Sequence, residues 1–201
     1  MSLSLKEKLS HGPVLRAATG ALIAGLMAAS GAAWAGPREE VAAASHKFAD
    51  ARSVHITMDN SDQRVPRMEA DFVRPDRYRI QMPQGTQVII GNTMYMSISG
   101  HTMRVPMPPS MLTTWRQSDQ IMSSLAQTTV EAQGSETVDG KSAKKYKLTY
   151  TSNNSVSLLW IGPDGYPLQL QNTGTYGRRT STVTMHYSRY NDASIQISAP
   201  N

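Results

Sequence analysis

The chain has 201 residues, with 20 Lys and Arg against 15 Asp and Glu and a formal net charge of +5. No block of five like charges occurs. The densest cluster, Lys141, Lys144, Lys145 and Lys147, reads as a solvated strand end, so nucleic acid is not an expected partner. Cysteine is absent, which excludes disulfides, thiolate metal sites, thiol catalysis and lipidation at an N-terminal Cys.

The first 35 residues carry the three parts of a secretory signal peptide. Lys6, Lys8 and Arg16 precede an uncharged run from Ala17 to Gly31, and Ala33-Trp34-Ala35-Gly36 supplies a small-x-small exit. Gly20 and Gly25 interrupt the run, which falls short of the ~20 apolar residues that span a bilayer. The expected organisation is a cleaved leader, residues 1–35, and a single domain, residues 36–201, delivered to the periplasm. An exported domain without disulfides is held by its core alone, which suits that compartment.

Glu39 to Asp50 is expected to be helical. Val41, Ala44, Ser45 and Phe48 fall at i, i+3, i+4 and i+7, and Pro37 sits where a first turn tolerates it. Strand signals then dominate. Val54-Ile56-Met58, Met68-Ala70-Phe72 and Tyr78-Ile80-Met82 each alternate with polar residues, the mark of a sheet with one dry and one wet face. Turn markers such as Asp59-Asn60, Pro75-Asp76, Gly85, Gly91-Asn92 and Gly100 recur about every ten residues, as in antiparallel hairpins.

Prolines 106, 108 and 109 break the meander, and Ser110 to Ala126 reads as a second helix carrying Met111, Leu112, Trp115, Met122 and Leu125. Strands resume at Val130 and follow as Tyr146-Leu148-Tyr150, Val156-Leu158-Trp160, Leu168-Leu170, Val183-Met185-Tyr187 and Ile195-Ile197. With no alternation of strand and long helix, a parallel sheet is disfavoured. The expected class is α+β, one large antiparallel sheet with two helices.

The order of these pieces resembles the outer-membrane lipoprotein carrier superfamily. Phe72-Val73-Arg74-Pro75-Asp76-Arg77-Tyr78-Arg79-Ile80 is similar to its strand followed by x-x-P-x-x-[YF]-x-[IL]. Val88-Ile89-Ile90-Gly91-Asn92-Thr93-Met94-Tyr95-Met96 resembles its second hairpin. Tyr146–Tyr150, Leu159–Gly162, Gly165–Leu168 and Tyr190–Pro200 resemble its second half. The resemblance implies a strongly curved antiparallel sheet, an unclosed half-barrel, whose concave face is covered by helices and holds acyl chains. It also implies lipid or an acylated lipoprotein as partner, with a membrane-bound protein for handover.

A sheet whose dry face meets only two short helices has apolar area to spare, and an alkyl chain gains about 0.8 kcal/mol per buried methylene there. With only two Phe in the chain, methionine is the available filler. Ten methionines follow residue 36, and unbranched thioethers repack around variable cargo or serve as ordinary core. The residues expected to line the hollow are Phe72, Ile80, Met94, Met96, Met111, Leu112, Trp115, Met122, Leu158, Trp160 and Met185, with facing left open because a one-residue slip inverts a strand.

Catalysis is not expected. There is no G-x-S-x-G elbow and no H-E-x-x-H, and His46, His55, His101 and His186 read as surface residues. Glu69 with Asp71 reads as a solvated pair on the wet side of a strand. The sequence supports a non-catalytic periplasmic carrier of lipid or acylated ligands, without cofactor or metal. Its alternatives are a signalling or assembly module that binds a protein partner on the same fold, and a copper carrier in which Met94, Met96, Met103, Met107, Met111 and His101 offer soft ligands to Cu(I).

Overall fold

The computed structural model describes residues 36–98, 100–107, 125–176 and 179–200. Helix α1 (Pro37–Asp50) opens on proline in its first turn, with Glu39 and Glu40 near its positive end and Lys47 in its last turn. It buries Val41, Ala44, Ser45 and Phe48, the stripe expected from the 3.6-residue period. The second helix expected over Ser110–Ala126 lies outside the described residues, apart from a short 3-10 turn at Leu125–Gln127.

Among the described residues eleven strands follow: β1 (Ser53–Asn60), β2 (Met68–Val73), β3 (Arg77–Met82), β4 (Gly85–Ile90), β5 (Thr93–Ile98), β6 (His101–Pro106), β7 (Thr128–Val138), β8 (Lys141–Tyr150), β9 (Val156–Ile161), β10 (Pro167–Tyr176) and β11 (Arg179–Ser188). They form one antiparallel sheet in the order β6-β5-β4-β3-β2-β1-β11-β10-β9-β8-β7. The sheet is therefore open, with β6 and β7 as its edges, and its two halves are joined by β1 against β11.

Turn chemistry fixes the hairpins. Asp139 and Gly140 both take positive φ, 48° and 76°, the two-residue turn whose twist matches antiparallel strands. A Cβ on Gly85 would stand 2.1 Å from the Ser97 carbonyl oxygen, so only glycine lets β4 run this close to β5.

The main core lies between α1 and the middle of the sheet. Val41, Ala44 and Phe48 meet Val54 and Phe72 from one half, and Tyr146, Leu148, Leu159, Ile161, Leu170 and Tyr187 from the other. The side chain of Phe48 packs edge-on against Tyr187, and Phe72 stacks on Tyr78. Polar bonds dock the helix ends. Arg38 donates to the Thr128 carbonyl at 2.9 Å and Lys144 to Glu40 at 2.7 Å, while Tyr146 also donates to Glu40.

Ile195-Ile197, expected as a last strand, joins no ladder. Both side chains are buried, but the carbonyls of Ile197 and Gln196 accept from Arg77 (2.7 Å) and Arg79 (3.3 Å). Guanidinium donors thus take the place of a strand partner for this tail.

Leu159 is 0% exposed at the centre of the core. Leu159→Ala is expected to cost about 2–5 kcal/mol, read as a lower urea midpoint with unchanged slope.

Candidate functional site

Directly opposed residues of an antiparallel pair share a face, so the register sorts every strand residue. On the α1 face, Val54, Phe72, Tyr78, Ile89, Met94 and Val105 form one row across β1 to β6. Ile56, Ala70, Ile80, Gln87, Met96 and Met103 form the next. A third begins with Met185, Met58 and Met68 on β11, β1 and β2.

The first row is packed. Val54 and Phe72 belong to the α1 core, and Ile89 forms a smaller cluster with Met107, Tyr78 and Met94. The second and third rows are looser. Ile56, Met58, Met68, Ala70 and Ile80 border an apolar cavity of about 80 Å³. Toward the β6 edge the apolar side chains emerge, with Ile98 and Val105 each 38% and Met103 52% exposed.

The expected lining residues divide accordingly. Phe72 lies inside the α1 core, with Met185 half-buried at its margin. Ile80 borders the small cavity, Met94 packs on Ile89 and Met107, and Met96 lies opposite Met103. Met111, Leu112, Trp115 and Met122 lie outside the described residues. Leu158 and Trp160 do not share this face. Leu159 pairs with Tyr146 and Leu170 of the α1 core, and its two neighbours therefore point to the other side. There Trp160 packs with Val138, Ala143 and Leu168, donates to Glu136 at 2.9 Å and lies under the Lys145 ammonium.

Met58, Met68, Ile56, Ala70 and Met103 were not among the residues expected to line the hollow. Period-two alternation marked Met58 and Met68 as dry, but only the cavity between β1, β2 and β3 distinguishes them from ordinary core. Of the residues of the copper alternative, Met94 and Met107 pack with Ile89, Met96 lies opposite Met103, and Met111 lies outside the described residues.

A separate groove of about 530 Å³ lies between α1 and the ends of β7–β9, walled by Ala43, Ala44, Ile161 and Pro163 among others. Glu40, Lys47 and Lys144 cross it as ties between helix and sheet, since Lys47 donates to the Asp164 carbonyl and Lys144 to Glu40. Hydrogen bonds from Lys144 and Tyr146 hold the Glu40 carboxyl below its ordinary range despite burial.

The opposite face carries a buried charge cluster that corrects the solvated-pair reading. Asp71 is only 6% exposed. His55 Nδ1 lies 2.8 Å from Asp71 Oδ1, and Arg79 donates to Oδ2 through Nη2 at 2.6 Å and Nε at 3.1 Å. Burial pushes the Asp71 pKa up, but the bonds from His55 and Arg79 outweigh it and leave the carboxyl below the usual range. No nucleophile lies in this cluster, and among the described residues no group of three His, Asp or Glu is placed to hold a metal.

The lipoprotein LppX from Mycobacterium tuberculosis superposes with TM-score 0.59 at 15% identity, over 80% of this chain and 97% of that one. LprF from Mycobacterium bovis superposes with TM-score 0.61 at 15% identity, over 82% of this chain and 96% of that one. The fold is that of LppX and LprF. A LolA superfamily protein from Nitrosomonas europaea matches more loosely, at TM-score 0.30 and 9% identity over 77% of this chain and 92% of that one. No family model matches the chain, and no curated protein matches it in sequence.

Because the folded-state pKa of Asp71 is lowered, its stabilisation is complete above the unfolded value of about 3.9 and fades as pH falls through the folded value. Asp71→Asn should therefore cost about 3 kcal/mol at pH 7. Urea unfolding repeated at progressively lower pH should show the gap narrowing as folded Asp71 takes up its proton.

Proposed function

We propose that this chain is an exported, non-catalytic carrier that holds the alkyl part of a lipid or acylated ligand against the α1 face of its sheet. Residues 1–35 act as the cleaved leader, residues 36–201 as the periplasmic domain, and the sheet curves as an unclosed half-barrel around the face that α1 enters. A membrane-bound protein receives the cargo.

One observation carries the reading. The apolar face continues past the α1 core through Ile80 and Met96 to Ile98 and Met103, which are exposed. Its side chains are mostly unbranched thioethers and isoleucines, which adapt to chains of different shape. An alkyl chain laid along it gains about 0.8 kcal/mol per methylene from burial, whereas the opposite face offers charge. Among the described residues no helix is long and apolar enough to cross a membrane.

Neighbouring residues on β6 provide the test, because Met103 and Thr102 are both exposed and point to opposite faces. Organic extraction and mass spectrometry of protein purified from the periplasm should reveal an alkyl-bearing molecule. In displacement of a fluorescent fatty acid, Met103→Glu should weaken binding at least about tenfold, or roughly 1.4 kcal/mol. Thr102→Glu should leave it unchanged. Equal behaviour of the two variants would overturn the assignment of the face.

A further inference from the structure

We propose that Met58, Met68 and Met185 form a three-thioether site for the soft monovalent cation Cu(I), distinct from the alkyl-binding role of the face. Met58 lies on β1 between two partners. Met185 of β11 is directly opposite on one side and Met68 of β2 directly opposite on the other. All three therefore share the α1 face, on three adjacent strands with about 4.8 Å between neighbours. Each side chain turns about three bonds, so the sulfurs can converge on one point above Met58.

The surroundings suit that cation. All three side chains are half-buried. The apolar cavity of about 80 Å³ borders Met58 and Met68, giving their sulfurs room to turn. The hydroxyl of Tyr187 donates to Met185 Sδ at 3.6 Å. That contact orients the third thioether and leaves it a second lone pair. Thioethers are neutral, soft ligands that match Cu(I) and bind Zn(II), Mg(II) or Ca(II) poorly. Partial burial keeps the complex in touch with water, which limits the cost of placing one positive charge there.

Leucine replaces methionine at nearly constant volume and removes only the sulfur. In anaerobic titration, the wild-type chain is expected to withdraw one equivalent of Cu(I) from its bicinchoninate complex. Met58→Leu with Met68→Leu should weaken this at least tenfold, while Met96→Leu with Met103→Leu should not. No withdrawal by the wild type, equal withdrawal by the first variant, or loss only in the second would each overturn the site. Fatty-acid displacement reads the carrier function separately: Met103→Glu should weaken it while leaving Cu(I) withdrawal unchanged. A wild-type measurement guards against misfolding: with Ag(I) as a diamagnetic probe, the ¹³C-methyl signals of Met58, Met68 and Met185 should shift together. Shifts confined to other methionines, or none, would refute the proposal.

Discussion

Among the described residues, a mismatch of area between helix and sheet governs the packing. A helix of 14 residues is about 21 Å long, whereas eleven strands at about 4.8 Å spacing make a sheet nearly 50 Å across. The core that α1 builds accordingly runs from β8 through β11 and β1 to β2, with Tyr78 of β3 at its margin. Beyond it, β3 to β6 continue the same apolar face. A flat amphipathic sheet with fewer strands would be covered by one helix, and a closed barrel would need no cover. An open sheet of this width has neither solution built into its strands.

The two faces stabilise the sheet by different means. On the α1 side burial dominates, with aromatic rings around Phe48 and Phe72 and thioethers farther out. On the other, charge and aromatic contacts alternate along the strands. Asp71 is held by His55 and Arg79, Trp160 is bracketed by Lys145 and Glu136, and Glu131 pairs with Lys147. The C-terminal tail is fastened to that side by Arg77 and Arg79. Cargo chemistry and scaffold chemistry are thus separated by the pleat itself, one residue apart along each strand.

That separation explains the run of lysines on β8. Lys144 reaches Glu40 on the α1 side, while Lys145 and Lys147 reach Glu136 and Glu131 on the other. What looks like a single basic cluster in one dimension is divided between two faces. Lys144, Lys145 and Lys147 each have an acidic partner.

Amphipathic period fixed much of the architecture without any coordinates. The stripe Val41, Ala44, Ser45 and Phe48 made α1, and strict alternation in residues 54–58, 68–72 and 78–82 made β1 to β3 with their dry sides correctly phased. The phase of β9 was not legible, because Val156–Ile161 is apolar on both faces and carries no alternation; only its pairing with β8 and β10 turned Leu159 inward and Leu158 and Trp160 outward. Burial of Asp71 was equally hidden, since its partners His55 and Arg79 come from two other strands. The meeting of Met185, Met58 and Met68 also depended on register between segments more than a hundred residues apart. Local sequence sets which residues of a strand can be dry together, but a cross-strand neighbour is set by how distant strands slide into pairing, and that is a property of the assembled sheet.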